Sequence, residues 1–292
     1  SDSAPLAVDG IGMGEMEKKK LTTQSSDSPH VPPEKIEALE NHVPCHVLAS
    51  KFNRVVSERV NTKDTLDFRI RQVAFTKNEN GNKRKIFSLW HDLPLYCTHP
   101  ETNKPTGKLK FICEIPRTTR KKYEIATDEP GNPIKQDQKN GNLREFMKGD
   151  IFFNYGCFPQ TWEDPDHIDP EVGVGGDNDP LDACEIGLSI IPTGEVRRVK
   201  VLGVLCLIDD GEADWKVICI DERDRWAPEL DDVDDLERLL PGTIARLRDW
   251  FRCYKVPEGK GRNAFALGGR ALGRRRALAV VARCHAAWGR LA

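Results

Sequence analysis

The segment GGDNDPLDACEIG at residues 175–187 places Asp177, Asp179 and Asp182 close together, with Pro180 between the second and the third. Carboxylates this close repel one another, so protonation or a bound cation must relieve the repulsion in a folded protein. Pro180 fixes its own φ and pushes Asp179 toward an extended backbone, which predicts a rigid turn. An EF-hand is excluded, because counting from Asp177 puts leucine at position 5 and at the closing position. The segment predicts either a site for a multivalent cation or an exposed acidic turn.

A second acidic segment, DDGEADWK, follows at residues 209–216. Its acids are Asp209, Asp210, Glu212 and Asp214. Hard divalent cations such as Mg²⁺ take oxygen ligands, so two acidic segments brought together could hold more than one ion.

Basic side chains are interleaved with these acids between residues 122 and 255. Lys122 and Glu124 lie two residues apart on one face of a predicted strand in KKYEI. The other candidates are Arg144, Lys216, Tyr254 and Lys255. Each lysine alone is typical of a solvated surface. Together with the acids they favour a site in which Mg²⁺ and fixed cations both bind phosphate oxygens.

The elements that must position these groups are strands first and helices later. Leu66, Phe68 and Ile70 alternate with charged residues and predict a half-buried strand that enters a hairpin at residues 78–82. A second strand is predicted over residues 109–115, with Leu109, Phe111, Cys113 and Ile115 on one face and Lys110, Ile112 and Glu114 on the other. The β-branched runs 196–208 and 215–220 predict a second hairpin, which turns at the acidic segment.

Apolar residues at helical spacing predict three helices, at residues 231–240, 244–254 and 277–291, the first capped by Asp231. Strands followed by helices indicate an α+β domain around a largely antiparallel sheet or barrel.

Composition narrows the class of protein. The chain has 292 residues with 38% hydrophobic and 31% charged side chains, which is typical of one large soluble domain. A net charge of −2 lacks the strong excess of basic residues that is typical of nucleic-acid-binding domains. No apolar run is long enough to predict a membrane span. Nine scattered cysteines contain no CxxC pair, which favours reduced core residues in an intracellular protein. Residues 1–43 are polar and predict a disordered extension, with residues 44–292 forming a single domain.

From about residue 50 to the end, the sequence resembles the eukaryotic branch of the soluble family I inorganic pyrophosphatases. The segments that carry this resemblance are EIPRTTRKKYEI (114–125), NPIKQD (132–137), NYGCFPQTWEDP (154–165), GDNDPLD (176–182), DACEIG (182–187), DDGEADWKVICID (209–221) and WFRCYKVPEGK (250–260). The resemblance implies a compact, twisted, OB-like antiparallel β-barrel with flanking helices. It also implies Mg²⁺-dependent hydrolysis of the pyrophosphate released by biosynthesis to two phosphates, by direct attack of a metal-activated water.

The resemblance implies a role for each candidate residue. Asp177, Asp182 and Asp214 resemble the ligands of the tightly held metals. Glu124 and Asp209 match acids that help to place the metals arriving with the substrate.

The remaining matched residues act on water and phosphate. Asp179 occupies the place of the acid that orients or deprotonates the attacking water, and Glu114 and Tyr155 match further active-site residues. The residues that match phosphate-binding groups are Lys122, Arg144, Lys216, Tyr254 and Lys255.

Two departures from the family pattern bear on function. Residues 145–153, EFMKGDIFF, form a shorter segment than in eukaryotic relatives and lack a tyrosine, with Asp150 close to its place. Residues 261–292 hold seven arginines without Asp, Glu or Lys, which predicts solvated arginines on a helix or, alternatively, a contact surface.

Two other functions stay open at this level. One is a phosphohydrolase of altered preference, such as for short polyphosphate, and the other is a catalytically silent scaffold. The resemblance also implies a homodimer, and the compartment is expected to be the cytoplasm or, if a targeting segment preceded residue 1, a mitochondrion or plastid.

Overall fold

The structure is a computed structural model that describes residues 54–78 and 81–291. Its first strands are β1 Arg54–Val60, β2 Arg69–Asn78, β3 Gly81–Phe87, β4 Tyr96–Thr98, β5 Pro105–Ile115, β6 Tyr123–Ile125, β7 Ile134–Gln136, β8 Gln138–Lys139 and β9 Asn142–Leu143. The later strands are β10 Asn154–Cys157, β11 Asp182–Glu185, β12 Val196–Asp209, β13 Glu212–Asp221, β14 Ala264–Phe265 and β15 Leu272–Gly273. The helices are α1 Val233–Leu239, α2 Thr243–Cys253 and α3 Arg274–Leu291. The extension predicted at residues 1–43 lies outside the described residues.

Five strands close into a ring. In order around it, β5, β10, β11, β13 and β12 each pair with the next, and the start of β12 pairs back onto β5. Every pair in this ring is antiparallel except β11 with β13, which is parallel. A separate sheet of β1, β2, β7 and β6, with β3 on β2, lies beside the ring. The predicted barrel with flanking helices is confirmed, with one parallel pair inside it.

The predicted hairpin of β12 and β13 is also confirmed, and its turn delivers two of the candidate acids. Asp210 and Gly211 form the turn with φ values of 48° and 97°, the left-handed conformation that suits glycine at the second position. Asp209 pairs with Glu212, and Leu207 pairs with Asp214, so Asp209 and Asp214 lie at the same end of the barrel.

One of the predicted strands differs from the structure. The segment before β2 is not extended: Asn61 and Asp64 have φ near 66°, the Asn61 amide donates to the Asp67 carbonyl at 2.8 Å, and Leu66 is 43% exposed. The strand predicted over residues 109–115 is present within β5, which is covered on both faces from Leu109 to Ile115 because it belongs to the closed ring.

All three predicted helices are present. The N-cap of α1 is Asp232 and not Asp231, because the Asp232 carboxylate accepts the Val233 N–H at 2.7 Å. Every described cysteine is unpaired, and all of them except Cys253 are buried. None of the described helices combines the length and hydrophobicity that crossing a bilayer requires.

The arginines of α3 are not simply solvated. Arg283 pairs with Asp169 at 2.5 Å, Arg290 pairs with Asp164 at 3.1 Å, and Arg276 pairs with Glu171. These three ion pairs connect α3 to the segment 164–171.

Candidate active site

The acidic loop between β10 and β11 is held in place by backbone hydrogen bonds. The Glu163 N–H donates to the Asp179 carbonyl at 2.9 Å, and the Asn178 N–H donates to the Glu163 carbonyl at 2.9 Å. Asp177 accepts the Asp179 N–H at 3.1 Å, which closes a tight Asx turn. Asp182 begins β11, so all three aspartates stand at one edge of the barrel.

A buried lysine joins this loop to β13. Asp182 is the partner of Lys216 in the parallel β11–β13 pair, and Asp214 lies two residues earlier on the same face as Lys216. The Lys216 ammonium contacts the carboxylates of Asp182 and Asp214 and donates to the Tyr155 hydroxyl at 2.8 Å. The Tyr155 hydroxyl in turn donates to Asp182. Metal-ligand candidates and a phosphate-binding candidate therefore share one cluster.

A second cluster forms where α2 ends beside the β12–β13 turn. The Tyr254 hydroxyl donates to Asp209 at 2.6 Å, and the Lys255 ammonium contacts the same carboxylate. Lys255 also lies 3.0 Å from Asp210, which Lys260 contacts at 2.9 Å. Lys260 and Asp210 are additional charged groups at this rim.

The third cluster contains Arg144, one of the basic residues expected to bind phosphate. The Lys122 ammonium lies 2.9 Å from Glu124 and 2.7 Å from Asp137, and the Arg144 guanidinium lies 2.5 Å from the same Asp137 oxygen. Asp137 thus holds two cations side by side. Asp137 was not among the sequence candidates, although it ends the segment NPIKQD.

Glu114 lies deeper than the other candidates. It is 5% exposed and accepts the Ile125 N–H at 2.7 Å, which ties β5 to β6 beside Glu124. Burial, together with the charge of Asp182, raises the pKa of Glu114 well above its ordinary value.

All thirteen candidate residues line two adjoining clefts. The larger, of about 300 Å³, contains the acidic loop, the basic residues and the rim, and the smaller, of about 110 Å³, contains Glu114 and Glu124. Both are lined by Lys122, Tyr155, Asp179 and Asp182.

The oxygen atoms of this site suit a hard divalent cation. One carboxylate oxygen each from Glu163, Asp177 and Asp214 lies within 4.8 Å of the others. Carboxylate oxygens are the ligands that Mg²⁺ prefers. Glu163 was not among the sequence candidates, since a single glutamate in WEDP has no local pattern that distinguishes it.

Burial and crowding raise the pKa values of the carboxyls in the larger cleft. Burial, followed by the charges of Asp182 and Asp179, raises the pKa of Asp177 to about 7. The Asp179 side chain opens to solvent, yet burial of its carboxyl by the cleft walls and the charge of Asp182 raise its pKa to about 7 as well. Burial also raises the pKa of Asp214 well above its ordinary value, although Lys216 opposes that shift. These groups hold protons near neutral pH unless cations replace them.

The basic groups stay charged in the same cleft. Burial disfavours the ammonium of Lys216, but Asp182 and Asp214 outweigh it and raise its pKa well above the ordinary value. Lys122 is governed by the same balance, in which Glu124 and Asp137 outweigh burial and raise its pKa.

These shifts predict how stability depends on pH when divalent cations are removed. The folded state binds protons at Asp177 and Asp179 up to a pKa of about 7, whereas the unfolded chain releases them near 3.8. Stability is therefore highest below the unfolded value and is lost as the pH rises through the folded value. Asp179 is exposed, so solvent screening reduces its contribution to this pH dependence. We expect the Tm in EDTA to fall by on the order of 5 °C between about pH 5 and pH 8.

Differential scanning fluorimetry at several pH values checks this expectation. Mg²⁺ should flatten the dependence, and Asp177→Asn should reduce its slope in EDTA. A Tm in EDTA that rises over this pH range would contradict the proposed crowding of these carboxyls.

Comparison with known proteins assigns this arrangement to a family. The family model described as inorganic pyrophosphatase matches residues 111–289, which include every candidate residue. The chain belongs to the inorganic pyrophosphatase family. It is 46% identical to the inorganic pyrophosphatase of Eremothecium gossypii over 80% of this chain and 79% of that one.

Two solved inorganic pyrophosphatase structures have the same fold. The recombinant enzyme from Trypanosoma brucei brucei superposes with a TM-score of 0.76 at 40% identity, covering 82% of this chain and 71% of that one. The N-terminally truncated vacuolar soluble pyrophosphatase of Trypanosoma cruzi, in complex with PPi, gives 0.77 at 38% identity over 94% of this chain and 99% of that one.

Segment 145–153 forms one wall of the larger pyrophosphatase cleft. Phe146, Ile151 and Phe153 line it with apolar side chains. Asp150, which the sequence placed near the absent tyrosine, points elsewhere and pairs with Arg120 at 2.8 Å. Asp150 therefore does not substitute for a tyrosine hydroxyl at this wall.

Proposed function

We propose that this protein hydrolyses inorganic pyrophosphate to two phosphates with the help of Mg²⁺. The observation that carries the proposal is that one cleft is lined both by carboxylates, Asp177, Asp182 and Asp214, and by basic groups, Lys122 and Arg144. A tetra-anion with bound cations is complementary to such a cleft. Pyrophosphate as the substrate is supported by the names of the relatives and by PPi in the Trypanosoma cruzi structure.

The carboxylates divide between two kinds of cation in this proposal. Asp177, Asp182 and Asp214 hold the tightly bound ions, and Glu124 and Asp209 help to hold those that arrive with the substrate. Bound divalent cations supply Lewis acidity and lower the pKa of water. The protein's contribution is to keep these oxygens fixed before the substrate arrives.

The basic groups bind the phosphate oxygens. Arg144 and Lys122 are fixed side by side by Asp137, so they need little reorganisation to bind charge that develops on the leaving phosphate. Tyr254 and Lys255 present a hydroxyl and an ammonium beside Asp209, and Lys216 presents an ammonium beside Asp182 and Asp214.

Asp179 is proposed as the group that orients the attacking water and accepts its proton. Among the described residues its carboxylate has no ion-pair partner, unlike Asp182, Asp209 and Asp214. Without bound cations, burial and the charge of Asp182 raise the pKa of this carboxyl to about 7, so it has an appreciable affinity for a proton. Glu114 and Tyr155 support the site from beneath, through the Ile125 N–H and Asp182 respectively.

Phosphate release from pyrophosphate, tripolyphosphate and ATP, titrated with Mg²⁺, tests the proposal. We expect turnover of pyrophosphate that requires Mg²⁺ and stops in EDTA. Tripolyphosphate and ATP should be poor substrates, since Phe146, Ile151 and Phe153 offer no donor to a further phosphate. Preferred turnover of tripolyphosphate would support the altered-preference alternative, and no turnover of any of them would support a silent scaffold.

We further propose a homodimer in the cytoplasm. The support for both is the likeness to eukaryotic relatives, and a mitochondrial or plastid location is the alternative. Light scattering coupled to size exclusion tests the dimer, and fractionation with an antibody against the chain tests the compartment.

A further inference from the structure

Glu163 is buried directly behind the acidic loop and has a fixed position. Its backbone makes two hydrogen bonds of 2.9 Å to residues 178 and 179, and Gly176 packs against it so closely that a Cβ there would lie 2.5 Å from the Glu163 carbonyl carbon. Gly176 also bridges to Ala213, one residue before Asp214. The glycine thus lets three segments meet around this glutamate.

The Glu163 side chain uses only one of its two oxygens within the protein. Oε1 accepts the Trp215 N–H at 3.0 Å, between Asp214 and Lys216 on β13. Oε2 is buried and has no hydrogen-bond partner among the described residues, and the residue is 3% exposed. A buried carboxylate oxygen without a partner is costly, so it indicates a ligand that completes the site.

The charges nearby point to a cation as that ligand. Glu163 has one oxygen within 4.8 Å of oxygens from Asp177 and Asp214. Lys216 pairs with Asp182 and Asp214, and Arg283, which lines the cavity on the other side of Glu163, pairs with Asp169. No described cation forms an ion pair with Glu163 itself.

We propose that Glu163 is a positioning residue of the metal centre, a fourth carboxylate beside Asp177, Asp182 and Asp214 that strengthens cation binding through Oε2. The inference rests on the proposed metal centre and adds a residue to it. Partners outside the direct ligands typically change metal affinity by about 10–100-fold. The competing explanation is a purely structural glutamate that caps the Trp215 N–H.

Glu163→Gln separates these explanations, because glutamine keeps the shape and the oxygen that accepts the Trp215 N–H. The probe is Mn²⁺ alone, with its Kd for the tightest site measured by electron paramagnetic resonance without substrate. We expect Glu163→Gln to raise this Kd by about 10–100-fold. Its Tm in EDTA should equal or exceed that of the unsubstituted protein, because glutamine keeps the contact with the Trp215 N–H and can carry no buried charge.

Glu185→Gln is the matched control. Glu185 is equally buried, but its oxygens accept from the Asn154 amide at 2.7 Å and from the Asp221 and Gly187 N–H groups at 2.8 Å. We expect this variant to change the Tm without changing the Kd for Mn²⁺.

The outcomes separate this inference from the proposed function. An unchanged Kd in Glu163→Gln, with tight binding in the unsubstituted protein, would overturn only the role of Glu163. A lower Tm of Glu163→Gln in EDTA, or failure of this variant to fold, would also overturn it, since the carboxylate would then stabilise the metal-free fold. Absence of Mn²⁺ binding in the unsubstituted protein would instead overturn the proposed metal centre.

Discussion

Asp179→Asn is expected to lower kcat for pyrophosphate hydrolysis by about 10²–10⁴-fold, the range that a positioned general base contributes. Asparagine keeps the size of the side chain and cannot accept the proton of the attacking water. Because the carboxylate has no ion-pair partner among the described residues, the substitution removes no such contact. The acidic limb of the pH–rate profile should also change, since the group proposed to accept the proton is removed.

The control for this variant is Asp150→Asn. Asp150 is a partly exposed aspartate outside the larger cleft, paired with Arg120, and its substitution should leave turnover near the unsubstituted level. The Tm of Asp179→Asn in EDTA should not fall, because one of three crowded carboxylates is neutralised. If Asp179→Asn keeps its turnover and its acidic limb, Asp179 is not the base.

Local spacing in the sequence was sufficient to predict part of the site. Side chains two residues apart on a strand share a face, so DDGEADWK by itself places Asp214 beside Lys216. The parallel pairing of β11 with β13 sets Asp182 opposite Lys216, and no local pattern encodes it. Such long-range pairings could be expected here only through the family resemblance.

Residues that act through distant partners were missed for the same reason. Asp137 matters because Lys122 and Arg144 converge on it, and Glu163 matters because Gly176 brings its backbone against the acidic loop. Each is a single carboxylate in its own segment. Their importance becomes visible only when the contacts are known.

Burial was the other property that periodicity predicted incompletely. The alternation over residues 109–115 placed Lys110 and Glu114 on one face of a strand but did not indicate that ring closure by β12 would bury that face. Similarly, the excess of arginine in α3 gave no sign that the acids of residues 164–171 would pair with it. Sequence patterns indicate which residues can be buried, whereas the topology of the fold determines which residues bury them and which form ion pairs with them.

Lys216→Met is expected to destabilise the protein in EDTA by about 3–5 kcal/mol, the cost of leaving a buried charge without its partner. Lys216 is 2% exposed, and its ammonium is in contact with Asp182 and Asp214 and 2.8 Å from the Tyr155 hydroxyl. Methionine fills a similar volume but leaves both carboxylates unpaired. Hydrolysis of pyrophosphate should also fall, since a proposed phosphate-binding group is lost.

Mg²⁺ distinguishes this electrostatic effect from a packing defect. Divalent cations supply positive charge to the same carboxylates, so the Tm increase caused by Mg²⁺ should be larger in Lys216→Met than in the unsubstituted protein. Lys110→Met is the matched control, because the buried Lys110 ammonium donates to the carbonyls of Pro94 at 2.8 Å and Tyr96 at 3.1 Å and forms no ion pair within the described chain. That variant should lose stability equally with and without Mg²⁺. If Lys216→Met behaves like Lys110→Met, Lys216 and the cations do not share the same carboxylates, and the proposed metal centre would have to lie elsewhere in the cleft.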